Sequence, residues 1–387
     1  MSLLRNVVLE ASSHTQTKTV FRIPSAGKLL MPELRLCNFG VTTGGTADGL
    51  ETYAYAQGIF ALIKAVRLYS NNILIDQCQD CGRYLSLMNL AGSTSGVYDV
   101  HQQTLCSNVN LAQYGQFSGL KVFLNTKLLG RLDLSDVLPF LDSMPMLYDM
   151  PELRVEIEYY TNKNDIFSND GNMQDAGFTF TVNQPTMIYT QEMDDGKVAS
   201  MKGEAPQKAA WFAWEREYIQ GLINDSLSVP RVRAFDNKFV NTLVVQKLFA
   251  DAPETTGLLK NGRSDVLGNN KVNFVLNGKK LLPLNGHDTP ARAMAQVADL
   301  MGNLVLPFNA WQLMAPAANQ SMLNDLSNLS GGLSWDAVSI GTTVNRLDME
   351  FYYSDARADL TDVWVWGQVL KFMTITPSGQ IVVGYQS

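Results

Sequence analysis

Four cysteines and three histidines are the residues of this chain best suited to metal binding or nucleophilic chemistry. Cys78 and Cys81 form a CxxC pair, and His101 and Cys106 follow downstream. A structural zinc site needs four ligands, and the sequence has no second CxxC pair to complete one. A redox CxxC would need a thioredoxin-like βαβ unit, which the pattern does not predict. We therefore expect Cys78 and Cys81 to be buried or half-buried thiols.

The histidines His14, His101 and His287 are isolated from one another in the sequence. A nucleophilic triad needs a histidine within reach of a nucleophile and an orienting acid. No GxSxG motif provides such a nucleophile. His287 stands in the segment Gly286–Thr289, just before a predicted helix, so we expect it in a turn or helix cap.

Three glutamates suggest an alternative chemistry, because paired carboxylates at a suitable separation can hydrolyse glycosides. Glu156 and Glu158 alternate along one predicted strand, and Glu350 lies on a matching strand. Alternating glutamates more often form the solvated or interface face of a strand, which is what we expect here. The glycine-rich segment Val41–Gly45 lacks the GxxxxGK[ST] pattern of a phosphate-binding loop. We predict no catalytic, cofactor-binding or metal-binding residues, and we expect that the protein is not an enzyme.

The composition of the 387 residues argues against a nucleic-acid-binding protein. The formal net charge is −7, and no run of lysine and arginine provides a basic face. Hydrophobic residues make up 46%, enough for a large core, whereas charged residues make up only 17%, which suits a surface covered by partners. No stretch reaches the roughly 18 apolar residues of a membrane span. Met1–Ala11 lacks the features of a signal peptide, and four cysteines fit folding in a reducing compartment.

Short strand-like runs separated by turn residues dominate the pattern, which is typical of a sandwich or jelly roll. In Leu153–Tyr160 and Arg346–Tyr353, apolar and polar residues alternate, so each strand has one core face and one polar face. Helical patterns are short. They are Cys81–Leu90, Leu134–Met144 and Pro290–Met301.

An internal repeat appears when the two halves are compared. The segment Val20–Lys28 precedes a strand in the first half, as Val229–Lys238 does in the second. The hairpin Val66–Ile75, with the turn Asn71-Asn72, resembles Val272–Leu282, with the turn Asn277-Gly278. Two further pairs follow in the same order: Leu132–Met144 with Leu304–Met314, and Glu152–Asn162 with Asn345–Asp355. The repeat predicts two β-units of similar build.

Four segments resemble the double jelly-roll major capsid proteins, a lineage of adenovirus hexons, membrane-containing bacteriophages, virophages, and polinton-like and adinto-like viruses. They are FRIPSAGKLL (Phe21–Leu30), IFALIKAVRLYSNNILID (Ile59–Asp76), LDLSDVLPFL (Leu132–Leu141) and MPELRVEIEYY (Met150–Tyr160). The resemblance covers most of the first half well and the second half more loosely. None of the segments is a catalytic signature.

The resemblance implies an all-β protein with two tandem eight-stranded jelly rolls and a few short helices. We expect an N-terminal arm at 1–18, a first jelly roll at 19–190, a connection at 191–228 and a second jelly roll at 229–387. It also implies homotrimeric, pseudo-hexagonal capsomers that tile an icosahedral shell in the virion, assembled inside the host cell. Its partners would be neighbouring capsomers, penton proteins and minor capsid proteins, with no direct contact to nucleic acid.

Two segments have alternative roles. The cluster Trp211, Phe212 and Trp214 is expected to pack between the jelly rolls, and a membrane anchor is the alternative. The segment Leu3–Glu10 could reach a neighbouring subunit or an internal membrane, or lack order as a terminus. For the whole chain, a carbohydrate-binding or carbohydrate-active double β-sandwich is the alternative function, and a tail or fibre component is a third.

Overall fold

Alternating apolar residues form antiparallel strands along most of the described chain. The computed structural model describes residues 4–24, 33–45, 51–53, 58–82, 84–85, 127–144, 150–169, 177–203, 208–223, 231–249, 271–281, 300, 335–352, 360–376 and 380–386.

Among the described residues, twelve strands precede the connecting helix Asp195–Gly203, and nine follow it. The first twelve are β1 (Leu4–Glu10), β2 (Ser13–His14), β3 (Lys18–Ile23), β4 (Arg35–Gly45), β5 (Glu51–Tyr53), β6 (Ile63–Ser70), β7 (Ile73–Gln79), β8 (Lys127–Asp133), β9 (Leu153–Tyr159), β10 (Phe167–Asn169), β11 (Phe178–Val182) and β12 (Thr186–Glu192). The others are β13 (Lys208–Ile223), β14 (Arg231–Arg233), β15 (Lys238–Phe249), β16 (Lys271–Leu276), β17 (Lys279–Lys280), β18 (Trp335–Val344), β19 (Leu347–Tyr352), β20 (Leu360–Ile375) and β21 (Ile381–Tyr385).

The described helical segments are short. They are the 3-10 turns Gly58–Leu62 and Leu134–Asp136 and the α-helices Phe140–Ser143, Lys163–Ile166 and Asp195–Gly203. In the part of the chain that the structure describes, none of them is long and apolar enough to cross a bilayer. The predicted helix Leu134–Met144 is divided in two at Pro139, which lacks the N–H that a continuous helix requires.

Each half of the chain folds as a jelly roll with the same strand order. In the first half, one sheet has the order β1-β12-β4-β8 and the other β3-β9-β6-β7. In the second half, the orders are β13-β20-β15-β18 and β14-β19-β16-β17. If the eight strands of these orders are numbered along each half, both halves read 1-8-3-6 and 2-7-4-5. The short strand β2 extends the sheet beside β3, β11 pairs with β4, β21 pairs with β20, and β5 pairs with β10 in a separate two-stranded sheet. The predicted pair of eight-stranded jelly rolls is therefore confirmed.

The structure also confirms two of the paired segments. The turns Asn71-Asn72 and Asn277-Gly278 both join the fourth and fifth strands, with φ values of 47° and 65° in the first and 51° and 81° in the second. Asparagine and glycine tolerate these left-handed conformations better than other residues. The strands β9 and β19, which lie in the paired segments Glu152–Asn162 and Asn345–Asp355, are the seventh strand of each jelly roll.

Other segments of the predicted repeat lie outside the described residues. These are most of the helix Cys81–Leu90, nearly all of Pro290–Met301 and the whole of Leu304–Met314. In the chain, Leu304–Met314 precedes β18, whereas Leu132–Met144 overlaps the end of β8 and continues beyond it.

Two segments lie inside the sheets rather than in the expected arm and connection. Leu4–Glu10 pairs with β12 along its whole length and is the first strand of the first jelly roll. Lys208–Ile223 pairs with β20 and is the first strand of the second jelly roll. Neither sequence alternates cleanly between apolar and polar residues. The reason is that Leu4–Glu10 is a partly exposed strand at the edge of its sheet, whereas Lys208–Ile223 is buried on parts of both faces. The exact limits of the two units stay a prediction.

A glycine and a phenylalanine pack closely in the second jelly roll, which leads to a first prediction. A Cβ atom on Gly367 would lie 2.8 Å from the Phe235 ring, and that ring is buried. We expect Gly367→Ala to lower the free energy of unfolding by about 1–3 kcal/mol, because an overpacked core cannot release the strain. Urea denaturation followed by tryptophan fluorescence measures the loss.

The matched control is Gly384→Ala, which places a Cβ atom 2.7 Å from the ring of Phe372. This ring is 40% exposed, so it can turn into solvent. We expect a clearly smaller loss for this variant. Equal losses in the two variants would show that burial of the ring does not govern the cost.

Candidate functional site: the junction between the two jelly rolls

The cysteines of the CxxC pair lie at the end of β7 and in the turn that follows. Cys78 is 2% exposed and Cys81 is fully buried, so their predicted burial is confirmed. Both are free thiols, and the Cys81 thiol donates to the carbonyl oxygen of Cys78 at 3.4 Å. Burial raises the pKa of Cys78 well above its ordinary value, which suppresses the reactive thiolate. Cys106 and His101 lie outside the described residues.

His14 ties strands of the first jelly roll together. Its Nε2 lies 3.1 Å from the carbonyl oxygen of Val182, which can only accept, so Nε2 carries the hydrogen. Its Nδ1 lies 2.8 Å from the Thr19 hydroxyl, which in turn lies 2.9 Å from the Tyr159 hydroxyl. These contacts give His14 a structural role. His287 lies outside the described residues.

Glu156 and Glu158, the pair that suggested glycoside hydrolysis, are engaged in ion pairs. Glu156 contacts Lys18 at 2.7 Å and lies 3.1 Å from Arg154 Nε. Glu158 contacts Lys64 and Arg67 at 2.6 and 2.9 Å.

The state of Glu158 does not suit a general acid. Partial burial alone would raise the pKa of Glu158, but hydrogen bonds from Lys64 and Arg67 lower it below its ordinary value. A glycosidase acid needs the opposite shift. Glu350 is also buried, on β19 of the other jelly roll. Across the described residues, no group of three His, Cys, Asp or Glu side chains could hold a metal.

The two jelly rolls share a buried junction, which the alternation of β20 makes possible. Val363 and Val365 belong to the hydrophobic core of the second jelly roll. Trp364 and Trp366 alternate with them and belong to the cluster that contains the core of the first jelly roll. All four side chains are at most 8% exposed. The sheet β13-β20-β15-β18 is thus covered on both faces at this point.

Aromatic contacts fill the junction from both sides. Trp211 packs edge-on against Phe140, with ring centroids 4.9 Å apart, and Trp214 lies 6.1 Å from Tyr84. Both tryptophans are nearly buried, so the predicted packing between the jelly rolls is confirmed for them. A membrane anchor is excluded for these two side chains because protein already covers them. Phe212 differs, since it is 37% exposed.

A first polar network lies within this apolar junction and centres on Asp80. The Tyr160 hydroxyl and the indole N–H of Trp364 donate to its carboxylate, and Arg216 Nε lies 3.1 Å from it. Arg216 also donates to the side chain of Gln79 at 3.0 Å. Asp80, Gln79 and Tyr160 belong to the first jelly roll, and Arg216 and Trp364 to the second. The network therefore fixes how the two units are oriented.

A second network lies beside the first and centres on Lys371, which is 5% exposed. Its ammonium group contacts Glu215 at 2.8 Å and lies 4.0 Å from Asp76 of the first jelly roll. Glu215 also accepts hydrogen bonds from Lys238 at 2.8 Å and from the Tyr385 hydroxyl at 2.7 Å. Burial alone would raise the pKa of Glu215, but Lys371 and Lys238 lower it below its ordinary value. Glu215 therefore stays ionised and holds both lysines.

The sequence indicates the tryptophans of this junction but not its charged residues. Asp76 is the one charged residue of β7, and Lys371 lies within an apolar stretch of β20, and that is the signal they give. The sequence does not identify the partner that buries each of them, because that partner comes from the other half of the chain. This arrangement has no catalytic pair and acts as a rigid joint.

The ion pair between Arg216 and Asp80 leads to a second prediction. The two side chains are 21% and 12% exposed, and Arg216→Ala would leave the Asp80 carboxylate without its cation. We expect the free energy of unfolding to fall by about 3 kcal/mol, because a buried charge that loses its partner is costly. Chemical denaturation measures the loss.

Arg131→Ala is the matched control. Arg131 pairs with Asp133 at 2.9 Å, but the two side chains are 53% and 39% exposed. An exposed pair of this kind contributes about 0–1 kcal/mol. If removal of Arg131 cost as much as removal of Arg216, the junction would have no special role in stability.

Comparison with known proteins gives matches at the level of structure. No protein-family model matches the chain, and no curated protein matches it in sequence. A cryo-electron-microscopy structure of the Sputnik virophage matches with a TM-score of 0.62 and 10% identity, over 99% of this chain and 88% of that one. The mavirus major capsid protein matches with a TM-score of 0.57 and 10% identity, over 98% and 90%.

A quasi-atomic model of the PBCV-1 virus capsid matches as well, with a TM-score of 0.60 and 11% identity, over 100% of this chain and 98% of that one. These similar structures are all viral double jelly-roll major capsid proteins. The matches extend over nearly the whole chain. The chain therefore has the double jelly-roll fold of viral major capsid proteins.

Proposed function

We propose that the chain is a major capsid protein whose homotrimers form pseudo-hexagonal capsomers of an icosahedral virus shell. The observation that carries the proposal is the same eight-stranded jelly roll occurring twice, with a buried junction between the copies. This fold is that of the similar capsid structures.

A chain with two similar units is suited to a trimer with a pseudo-hexagonal outline. Three copies of a chain with two similar units place six similar units around a threefold axis. Such a ring has head-to-tail contacts that close, so it neither grows into a filament nor leaves an open end. The ring keeps a defined shape only if the two units of each chain are rigidly oriented. The tryptophans and polar networks of the junction supply that rigidity.

Apolar side chains on the surface support self-association. Large hydrophobic residues exposed in the single chain are found on β1 and on the sheet that contains β13, β20 and β21. They are Leu4, Val8, Phe212, Tyr218, Phe372, Val382 and Tyr385, with exposures from 37% to 62%. Contacts between copies would remove this surface from water.

Partners and location follow from the same proposal. The partners are copies of the chain in the trimer, neighbouring capsomers, and penton and minor capsid proteins, and the location is the virion, assembled inside the host cell. The net charge of −7 supports a shell without direct contact to the genome. Contact between the N-terminal arm and an internal membrane stays a prediction, and residues 4–10 of that arm form β1 in the first sheet.

We propose limits for the two units that follow the strands. The first jelly roll would comprise 4–192, the connection 193–207 and the second jelly roll 208–386. These limits keep β1 and β13 with the sheets in which they pair.

A third prediction tests self-assembly directly. Purified protein at micromolar concentration should have a native mass of three chains of 42.8 kDa each, and negative-stain electron microscopy should show hexagonal particles. Native mass spectrometry or light scattering measures the mass. A species that stays at 42.8 kDa at every concentration would overturn the proposal.

A fourth prediction tests the exposed apolar surface. Val8 and Val382 are 62% and 45% exposed, so aspartate at these positions is hydrated in the single chain. We expect the double variant Val8→Asp/Val382→Asp to fold with an unchanged circular dichroism spectrum. Its association constant for trimer formation should be at least tenfold lower, because each buried charge costs at least about 1.4 kcal/mol.

The control for this variant is Thr179→Asp, which adds a negative charge at an exposed position of β11. It should assemble as the native chain does. If the double variant formed trimers at the native concentration, these valines would lie outside the subunit contacts.

A further inference from the structure

Asp76 is a carboxylate enclosed between the two jelly rolls. It lies on β7, and its side chain is fully buried. The backbone N–H groups of Gln77 and Phe140 each donate to it at 3.0 Å. These two bonds satisfy part of its hydrogen-bonding capacity, and they do not neutralise its charge.

Lys371, the cation that faces Asp76, lies closer to a second carboxylate, that of Glu215. Lys371 lies 4.0 Å from Asp76 but 2.8 Å from Glu215, which belongs to the same jelly roll as the lysine. Lys238 binds Glu215 from the other side at 2.8 Å and has no contact with Asp76 among the described pairs. The charge on Asp76 is therefore only partly compensated, in a place from which water is excluded.

Within the described part of the chain, the other titratable groups that act on Asp76 provide no second cation. Cys78 follows on the same strand, Tyr84 lies in the turn beyond it, and Tyr385 comes from β21 of the other jelly roll. Burial raises the pKa of each of these groups above its ordinary value, so they are neutral below pH 8. Asp80 is paired with Arg216 in the neighbouring network.

We propose that the junction is a pH-responsive joint, in which Asp76 takes up a proton in mildly acidic solution and the two jelly rolls then hold together more tightly. The proton removes an under-compensated charge from the apolar junction, while Lys371 keeps its closer partner Glu215. The protonated carboxyl still has an oxygen for the N–H of Phe140 or Gln77.

The direction of the effect follows from the proton affinities of the closed and opened junction. Burial raises the pKa of Asp76 from its ordinary value of 3.8 to about 6, with Lys371 opposing the rise. The closed junction thus binds the proton more tightly than an opened junction with a hydrated Asp76. The closed state gains stability as the pH falls through 6 and loses that gain as the pH rises again. With these two values, opening is about tenfold rarer at pH 5.0 than at pH 7.5.

Native-state hydrogen exchange of the full chain, read by mass spectrometry, tests the joint. Peptides from β7 and β13 are followed at pH 5.0 and 7.5, and each rate is divided by the rate of the same unfolded peptide at that pH. We expect about tenfold greater protection at pH 5.0 in the native chain. In the variant Asp76→Asn, which cannot titrate, protection should differ by less than twofold.

A control variant and an NMR titration complete the test. Asp236→Asn removes an exposed carboxylate from a turn of the second jelly roll and should preserve the tenfold dependence. Because an asparagine at position 76 could fail to fold, the carboxyl carbon resonance of Asp76 is also titrated by NMR in the native chain, with a midpoint near 6 expected. A midpoint at or below 4, or a native pH dependence that persists in Asp76→Asn, would overturn the proposal. Neither readout depends on whether the chain assembles into a shell.

Discussion

The structure depends on one sheet that is buried on both faces. Along β20, valines enter the core of the second jelly roll, while Trp364 and Trp366 enter the cluster of the first. A strand covered on one side alternates between apolar and polar residues, whereas this strand reads Val-Trp-Val-Trp. The face that carries Trp364 and Trp366 loses its contact with water only because the first half of the chain is present. The two jelly rolls therefore share a buried hydrophobic cluster and are not independent domains joined by a linker.

The polar networks give this apolar junction a single geometry. Apolar side chains alone can slide or repack at a modest cost in free energy. A hydrogen bond from Trp364 to Asp80 and an ion pair from Arg216 to the same carboxylate can form in only one relative position of the units. Such buried polar groups add little net stability, but they penalise every other arrangement. A rigid block with two similar units is what a closed ring of subunits requires.

Burial and ion pairs explain why the cysteines and glutamates considered for chemistry do not suit it. Cys78 and Cys81 are inside the junction, where burial keeps the thiol of Cys78 protonated. Glu158, the carboxylate considered as a general acid, is held ionised by two cations on a sheet face. Asp76 is the exception, because its cation lies closer to another carboxylate. Its charge state therefore depends on the pH rather than on a fixed partner.

The sequence by itself determined the class of fold and its repetition. The alternation in β9 and β19 and the paired turns Asn71-Asn72 and Asn277-Gly278 depend only on local rules of side-chain spacing and backbone conformation. The tertiary structure alone decided that Leu4–Glu10 and Lys208–Ile223 are strands and that Asp76 and Lys371 face each other. These features arise from contacts between residues far apart in the chain, and no local pattern records the partner that buries a side chain.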